Sequence, residues 1–261
     1  MSVTHDATKE RHPIMSTTAH PHREDVLRSI SEVFAHKAPD GGGAAFVRRY
    51  FRHVPIDELT TRGPDVYAGA LASHVALASQ RSPGTANVRV YNPSSEADGW
   101  SNSRTVIQIV TDDMPFLVDS VAGALVRRDI DIHIIVHPQL VVRRNAVGAL
   151  ESVADVDPAS LPPRSAVVGE IPESWMLLII DRESDEARRA ELEQDIRRVL
   201  GDVRESVEDW PKMRTKALVI AAEIEGAPPA GVDPAETELA IRFLRWMADN
   251  HFTFLGYRDY T

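Results

Sequence analysis

The chain has 261 residues, 43% of them hydrophobic and 26% charged, a globular balance with enough length for roughly two compact cores. Its 29 Lys and Arg against 39 Asp and Glu leave a net charge of −10, which repels a phosphate backbone and argues against a nucleic-acid partner. The absence of cysteine excludes disulfides, thiolate metal sites and cysteine nucleophiles; no run is long enough to span a membrane, and a cytoplasmic location is expected.

Residues 1–21 show no apolar period and are expected to form a disordered leader. From Arg23 onward Val26, Leu27, Ile30, Val33 and Phe34 recur at helical spacing, and Phe46, Val47, Tyr50 and Phe51 do so again after a break at 39–43. Pro64 opens a further helix with Val66, Tyr67, Ala70, Leu71, His74, Val75 and Ala78 on one stripe, so 22–84 reads as a helical N-terminal segment. The period then changes. Val88 and Val90 alternate, a polar loop follows over 92–103, and 105–111 is β-branched and apolar enough for a central strand.

Leu117, Val121, Ala124 and Leu125 predict a helix within 116–128, followed by one long β run over 130–142. A hairpin turn at 145–148 returns the chain over 149–156, a proline-bearing loop covers 158–172, and 175–181 is a buried strand. Ser184 reads as the cap and Gly201 as the stop of a helix carrying Leu192, Ile196, Val199 and Leu200, with a short strand expected near Val203. The resulting order over 85–208, β-α-β-β-α-β, is that of a ferredoxin-like α+β domain. Residues 209–251 read as a helical connector with helices at 209–222 and 234–249. Asp233 caps the second of these, and Leu239, Phe243 and Met247 are expected to face inward. Residues 252–261 read as a strand opening a following domain.

Catalytic chemistry lacks its residues. No G-x-G-x-x-G is present, and none of the four lysines, Lys9, Lys37, Lys212 and Lys216, belongs to a strand end in a cleft. No catalytic residue, cofactor site or metal site is therefore expected in this chain. The triplet 41–43 lacks a preceding strand and a following Lys-Ser or Lys-Thr, which makes it a flexible connection. His133 and His137 stand about 13 Å apart if they share one strand, too far for a common ion, and read as ordinary strand histidines.

The distinctive run is 111–120, between the first strand of the α+β domain and its first helix. Asp113 is placed to cap that helix and Pro115 to open it, and capping alone accounts for both. A binding role for the same turn would use the unpaired N–H groups and positive dipole end for a carboxylate. Asp112, Asp113, Asp119 and Ser120 would then meet an α-ammonium or hydroxyl.

The run Asp113-Met114-Pro115-Phe116-Leu117-Val118-Asp119-Ser120-Val121, with His137-Pro138, Glu173-Ser174-Trp175-Met176 and Phe252-Thr253-Phe254-Leu255-Gly256-Tyr257-Arg258, closely resembles the N-terminal region of the large bacterial NAD-specific glutamate dehydrogenases. The resemblance runs from about Arg23 onward. It implies a homo-oligomeric parent oxidoreductase that converts L-glutamate and NAD to 2-oxoglutarate and ammonia, with its dehydrogenase domain beyond this chain. For the chain itself it implies an ACT-like, non-catalytic regulatory and assembly region, with NAD bound only by the parent. Its expected partners are the rest of that enzyme, neighbouring subunits and an amino-acid effector; the alternative is a purely structural oligomerisation module without ligand. Phe116 stands where the usual Asp-x-Pro-Gly ligand loop has glycine, so a ligand would lie farther out than in a glycine-bearing loop.

Overall fold

The computed structural model describes residues 22–156 and 170–258, a mixed helical and stranded structure built on one antiparallel sheet. The leader at 1–21, most of the loop at 158–172 and residues 259–261 lie outside the described residues.

Four helices open the fold: α1 (Arg23–Lys37), α2 (Ala44–Tyr50), α3 (Ile56–Arg62) and α4 (Pro64–Ala78). The apolar spacing places Leu27, Ile30 and Phe34 of α1 and Phe46, Val47 and Tyr50 of α2 in one core, as the 3.6-residue period requires. Arg23 fixes the start of α1 against the end of α2 by donating to the Phe51 and Val54 carbonyls at 2.5 and 2.7 Å. The Phe51 carbonyl also accepts from the Val54 N–H at 3.1 Å, so the guanidinium supplements a backbone bond there. In α4 the small residues Ala68, Gly69 and Ala70 are fully buried and let the helix lie close to its neighbours.

The sheet contains β1 (Asn87–Tyr91), β2 (Thr105–Asp112), β3 (Ile132–Val136), β4 (Gln139–Arg144), β5 (Leu150–Ala154) and β6 (Glu170–Ile180), with a four-residue helix, α5 (Ser95–Asp98), after β1. Strand β2 lies between β1 and β6, and β6 is long enough to pair β4 along its first half and β3 along its second. The single strand expected over 130–142 is thus two strands, because Pro138 has no N–H for the ladder and interrupts it. Both sheet faces are buried. Val106 and Val110 of β2 with Trp175, Leu177 and Ile179 of β6 face the N-terminal helices, while Ile107, Ile109, Met176, Leu178 and Ile180 face α6 (Leu117–Val126) and α7 (Glu186–Gly226).

Helix α7 overturns three expectations. It runs unbroken for 41 residues through Gly201, and Val203 is a helical core residue rather than a strand. Leu192, Ile196, Leu200 and Val203 continue one apolar stripe, and Gly201 falls on the exposed side. There a missing Cβ costs only about 1 kcal/mol of helix propensity. The cap is Asp185, whose carboxylate accepts from the Ala187 N–H at 2.8 Å, one residue after the expected Ser184. The sheet edge beside β2, left for a strand near Val203, is occupied by β1 instead. Glu193 accepts from the Val90 N–H at 3.1 Å, and Arg197 donates to the Ala86 and Val88 carbonyls at 3.0 and 2.6 Å. Side chains of α7 therefore satisfy the outer edge of β1, which would otherwise offer a template for another strand.

Helix α8 (Pro234–Trp246) is capped by Asp233 as expected, but its inward face is not the expected one. Thr237 is buried and Ile241 and Leu244 half-buried, with Met247 half-buried as expected and Ala248 buried just past the helix end, whereas Leu239 and Phe243 are 64% and 53% exposed. The stripe on the opposite side of the helix wins because α8 lies along α7, joined by Arg245 to Glu225 at 2.6 Å. Residues 253–258 form no strand; they fold back on α7, where Ser206 donates to the Leu255 carbonyl at 3.5 Å.

Candidate functional site

Strand β2 delivers Asp112 to the turn that precedes α6, opposite Glu173 of β6 in the ladder. The Asp112 carboxylate pairs with Arg81 at 2.6 Å and Arg204 at 2.7 Å and accepts from the Gly84 N–H at 3.1 Å. Burial alone would raise its pKa, but the two guanidiniums hold it below the usual carboxylate range. Asp112 thus joins α7 to the segment after α4, and its charge is already matched.

Asp113 does not cap α6. Its carboxylate accepts from Ser174 Oγ at 2.5 Å and from Gln139 Nε2 at 3.0 Å, while its N–H donates to the Pro172 carbonyl at 3.1 Å. Because the Ser174 proton is given to Asp113, Ser174 Oγ accepts from His137 Nε2 at 3.0 Å. Burial lowers the pKa of His137 more than the Asp113 charge raises it, so the ring is neutral near pH 7 with its proton on Nε2. Polar groups from β4, β6 and the β3–β4 connection therefore anchor the start of the turn.

The N-cap position of α6 belongs to Phe116, with φ 70° and ψ 0° and no side-chain cap. Pro115 lies before the helix, and these dihedrals are those of the third residue of a type II turn, normally a glycine position. The turn thus keeps a glycine-like backbone while carrying a phenyl ring that is 40% exposed. Left-handed backbone costs a residue with a Cβ about 1–2 kcal/mol. Phe116→Gly should accordingly be more stable than Phe116→Ala by about 1 kcal/mol in urea melts, since both lose the ring and only alanine keeps the strain. Equal stabilities would mean the turn relaxes when the ring is removed.

Of the four expected ligand residues, the structure commits Asp112 and Asp113 to anchoring and leaves Asp119 exposed and Ser120 half-exposed on the first turns of α6. The residues that sequence reasoning missed are Arg81, Gln139, Arg144, Glu173, Ser174 and Arg204. Glu173 is buried and accepts from Arg81, Arg144 and the Trp175 indole, with Oε1 2.6 Å from both guanidiniums. For Glu173 and Arg144 the only local signal is a charged residue in a strand run; Arg81 and Arg204 lie outside the strands, and Gln139 and Ser174 carry no charge. His133 has a similar unexpected partner: its Nε2 lies 2.7 Å from the Asp181 carboxylate, which Arg104 also reaches at 2.8 Å. His137 sits outside β3, so the two histidines do not share a strand.

A cleft of about 670 Å³ lies elsewhere, lined by Asp202, Ser206, Lys212, Met213, Lys216 and Tyr257 among others, and no residue of the turn contributes to it. Among the described residues no group of three or more His, Cys, Asp or Glu is placed to hold a metal, and no helix is long and apolar enough to cross a membrane.

A family model described as glutamate dehydrogenase, ACT1 domain, matches residues 46–196. An NAD-specific glutamate dehydrogenase of Halomonas elongata is 35% identical over 241 residues, covering 91% of this chain and 14% of the relative. The NAD-specific glutamate dehydrogenase of Pseudomonas aeruginosa is 36% identical over 216 residues, 83% of this chain and 13% of the relative. That of Mycobacterium tuberculosis is 26% identical over 188 residues, 72% of this chain and 11% of the relative. The chain therefore spans only a small part of the length of these enzymes.

Proposed function

The chain belongs to the glutamate dehydrogenase ACT1-domain family, and on that premise we propose that it is a non-catalytic regulatory and assembly region of an NAD-dependent glutamate dehydrogenase. The parent would oxidise L-glutamate with NAD to 2-oxoglutarate and ammonia, in the cytoplasm and as an oligomer. Nicotinamide binding and catalysis would lie outside this chain. The strand order supports the ACT-like assignment: β2, α6, β3, β6 and α7 follow the ferredoxin-like path, and β1 stands where that path places its last strand.

The observation that carries the regulatory reading is the turn after β2. Its backbone keeps the left-handed corner of a ligand loop at Phe116 although no glycine is present, and a strained corner persists only when its surroundings enforce it. Asp113, Gln139 and Ser174 supply that enforcement. With Asp112 and Asp113 already paired, an amino acid would be met by Asp119 and Ser120 at the open rim, its carboxylate toward the α6 N-terminus and its side chain against Phe116.

Titration calorimetry and thermal shift with L-amino acids at millimolar concentration test this. The expected result is binding that Asp119→Ala with Ser120→Ala abolishes without unfolding the chain, since neither side chain is buried in the core. Absence of binding, or a double variant that binds like the parent, leaves the turn with a structural role and favours a ligand-free assembly module. The same preparation should show no glutamate-dependent NAD reduction.

A further inference from the structure

Helix α8 is apolar on two opposite sides. Thr237, Ile241, Leu244 and Ala248 follow one another at i, i+4, i+7 and i+11 and face the body of the protein. At about 100° per residue, Leu239, Phe243 and Trp246 fall on the far side of the helix within a sector of about 60°. They are 64%, 53% and 48% exposed. A helix that meets the core on one side ordinarily turns charged residues outward, and a helix apolar on both sides is built to be covered on both.

The outer face is also pre-ordered. The Phe243 and Trp246 rings stack with centroids 5.9 Å apart and 15° between planes, and Trp246 stacks on His251 at 4.9 Å and 17°. Rings already held in place lose little freedom on association, and exposed aromatic anchors are the side chains that carry interface energy.

The charges beside the stripe select the occupant. Glu238 and Arg242 are both exposed, one turn apart on the same flank of the stripe. In a parallel pair the opposite flanks of the two helices meet, so Glu238 would face Glu236 and Arg242 would face Ala240 and Met247 with no acidic partner. Antiparallel about a two-fold axis near residue 241, Leu239 meets Phe243 and Glu238 meets Arg242, twice over, as an isologous contact requires. We propose that the Leu239–Phe243–Trp246 face of α8 is a dimerisation surface that pairs antiparallel with the same face of a second copy of this chain. The inference rests on α8 alone and does not depend on the effector role of the turn.

Sedimentation equilibrium of the purified chain across the micromolar range tests it, with circular dichroism to establish that each variant is folded. A reversible dimer is expected, weakened about 100-fold by Phe243→Glu, a change at a position the fold leaves half exposed. Glu238→Arg and Arg242→Glu should each weaken the dimer several-fold, and the two together should restore it because the pairs are exchanged. A monomer at every concentration overturns the proposal and assigns the face to another occupant, such as polypeptide that follows this region in a longer protein. A dimer indifferent to Phe243→Glu overturns it by placing the contact elsewhere, and failure of the double reversal to restore affinity overturns the antiparallel register.

Discussion

Glu173→Gln is expected to destabilise the protein by about 3–5 kcal/mol, the cost of leaving a buried ion cluster without one of its partners. The Glu173 carboxylate is inaccessible and takes five donors: Arg81 Nε and Nη2, Arg144 Nε and Nη2, and the Trp175 indole, at 2.6–3.0 Å. Further guanidinium protons go to the Ser82, Thr85, Ala78 and Gly148 carbonyls and to Asp112. Every guanidinium nitrogen and both Glu173 oxygens therefore have a partner, which is the condition under which burying charge is tolerable. Glutamine keeps the size but removes the charge and points an N–H₂ group at donors. Arg144 would then have no carboxylate partner, and Arg81 only Asp112, which it shares with Arg204. Urea melts should show the loss, with the exposed Glu151→Gln as a control within about 0.5 kcal/mol of the parent. A Glu173→Gln effect below 1 kcal/mol would mean that water enters the cluster and that its burial is not as the structure has it.

Acidification should remove about 3 kcal/mol of stability through His74 alone. This ring is fully buried between the N-terminal helices and the sheet, its Nδ1 accepting from the Tyr50 hydroxyl at 2.6 Å and its Nε2 donating to the Ile109 carbonyl at 3.1 Å. Both nitrogens are satisfied in the neutral form. Burial lowers its pKa from 6.5 to about 4, against a smaller rise from the Ile109 bond. The unfolded chain therefore takes up a proton near pH 6.5 and the folded chain only near pH 4. The stabilisation is complete above pH 6.5, falls through this interval as pH falls, and stays lost below it. Comparing melts of the parent and His74→Gln between pH 7.5 and 4 isolates the effect, because the carboxylates titrate in both. The gap between them should close by about 3 kcal/mol; parallel curves would show that the ring is not held neutral.

Glu173 and His74 mark the boundary of what could be read in the linear chain. His74 lay on an apolar helical stripe, so its burial was legible, but its partners Tyr50 and Ile109 come from another helix and from β2. Glu173 and Arg81 stand 92 residues apart and meet only because β6 crosses the end of β2. The candidate turn was legible as a turn, since Pro115 and the change from strand to helical period mark it locally. That Asp113 anchors to Gln139 and Ser174 instead of capping α6 was decided by strands that arrive from later in the chain.

The sequence by itself determined the helical opening layer, the strands read at 105–111 and 175–181, the helices after them and the membership of the α+β class; that the second strand begins at Glu170, inside the loop expected over 158–172, came from the structure. Each rests on a period of 2 or 3.6 that a short window displays. Only the tertiary structure decided that β1 takes the sheet edge, that α7 passes through Gly201, and that α8 turns Thr237 and Ile241 inward and Leu239 and Phe243 outward. Those choices are made between alternatives of equal local quality. An edge strand, a continued helix or one of two apolar stripes is selected by which surface is available to bury it, and that surface is assembled from residues far away in the chain.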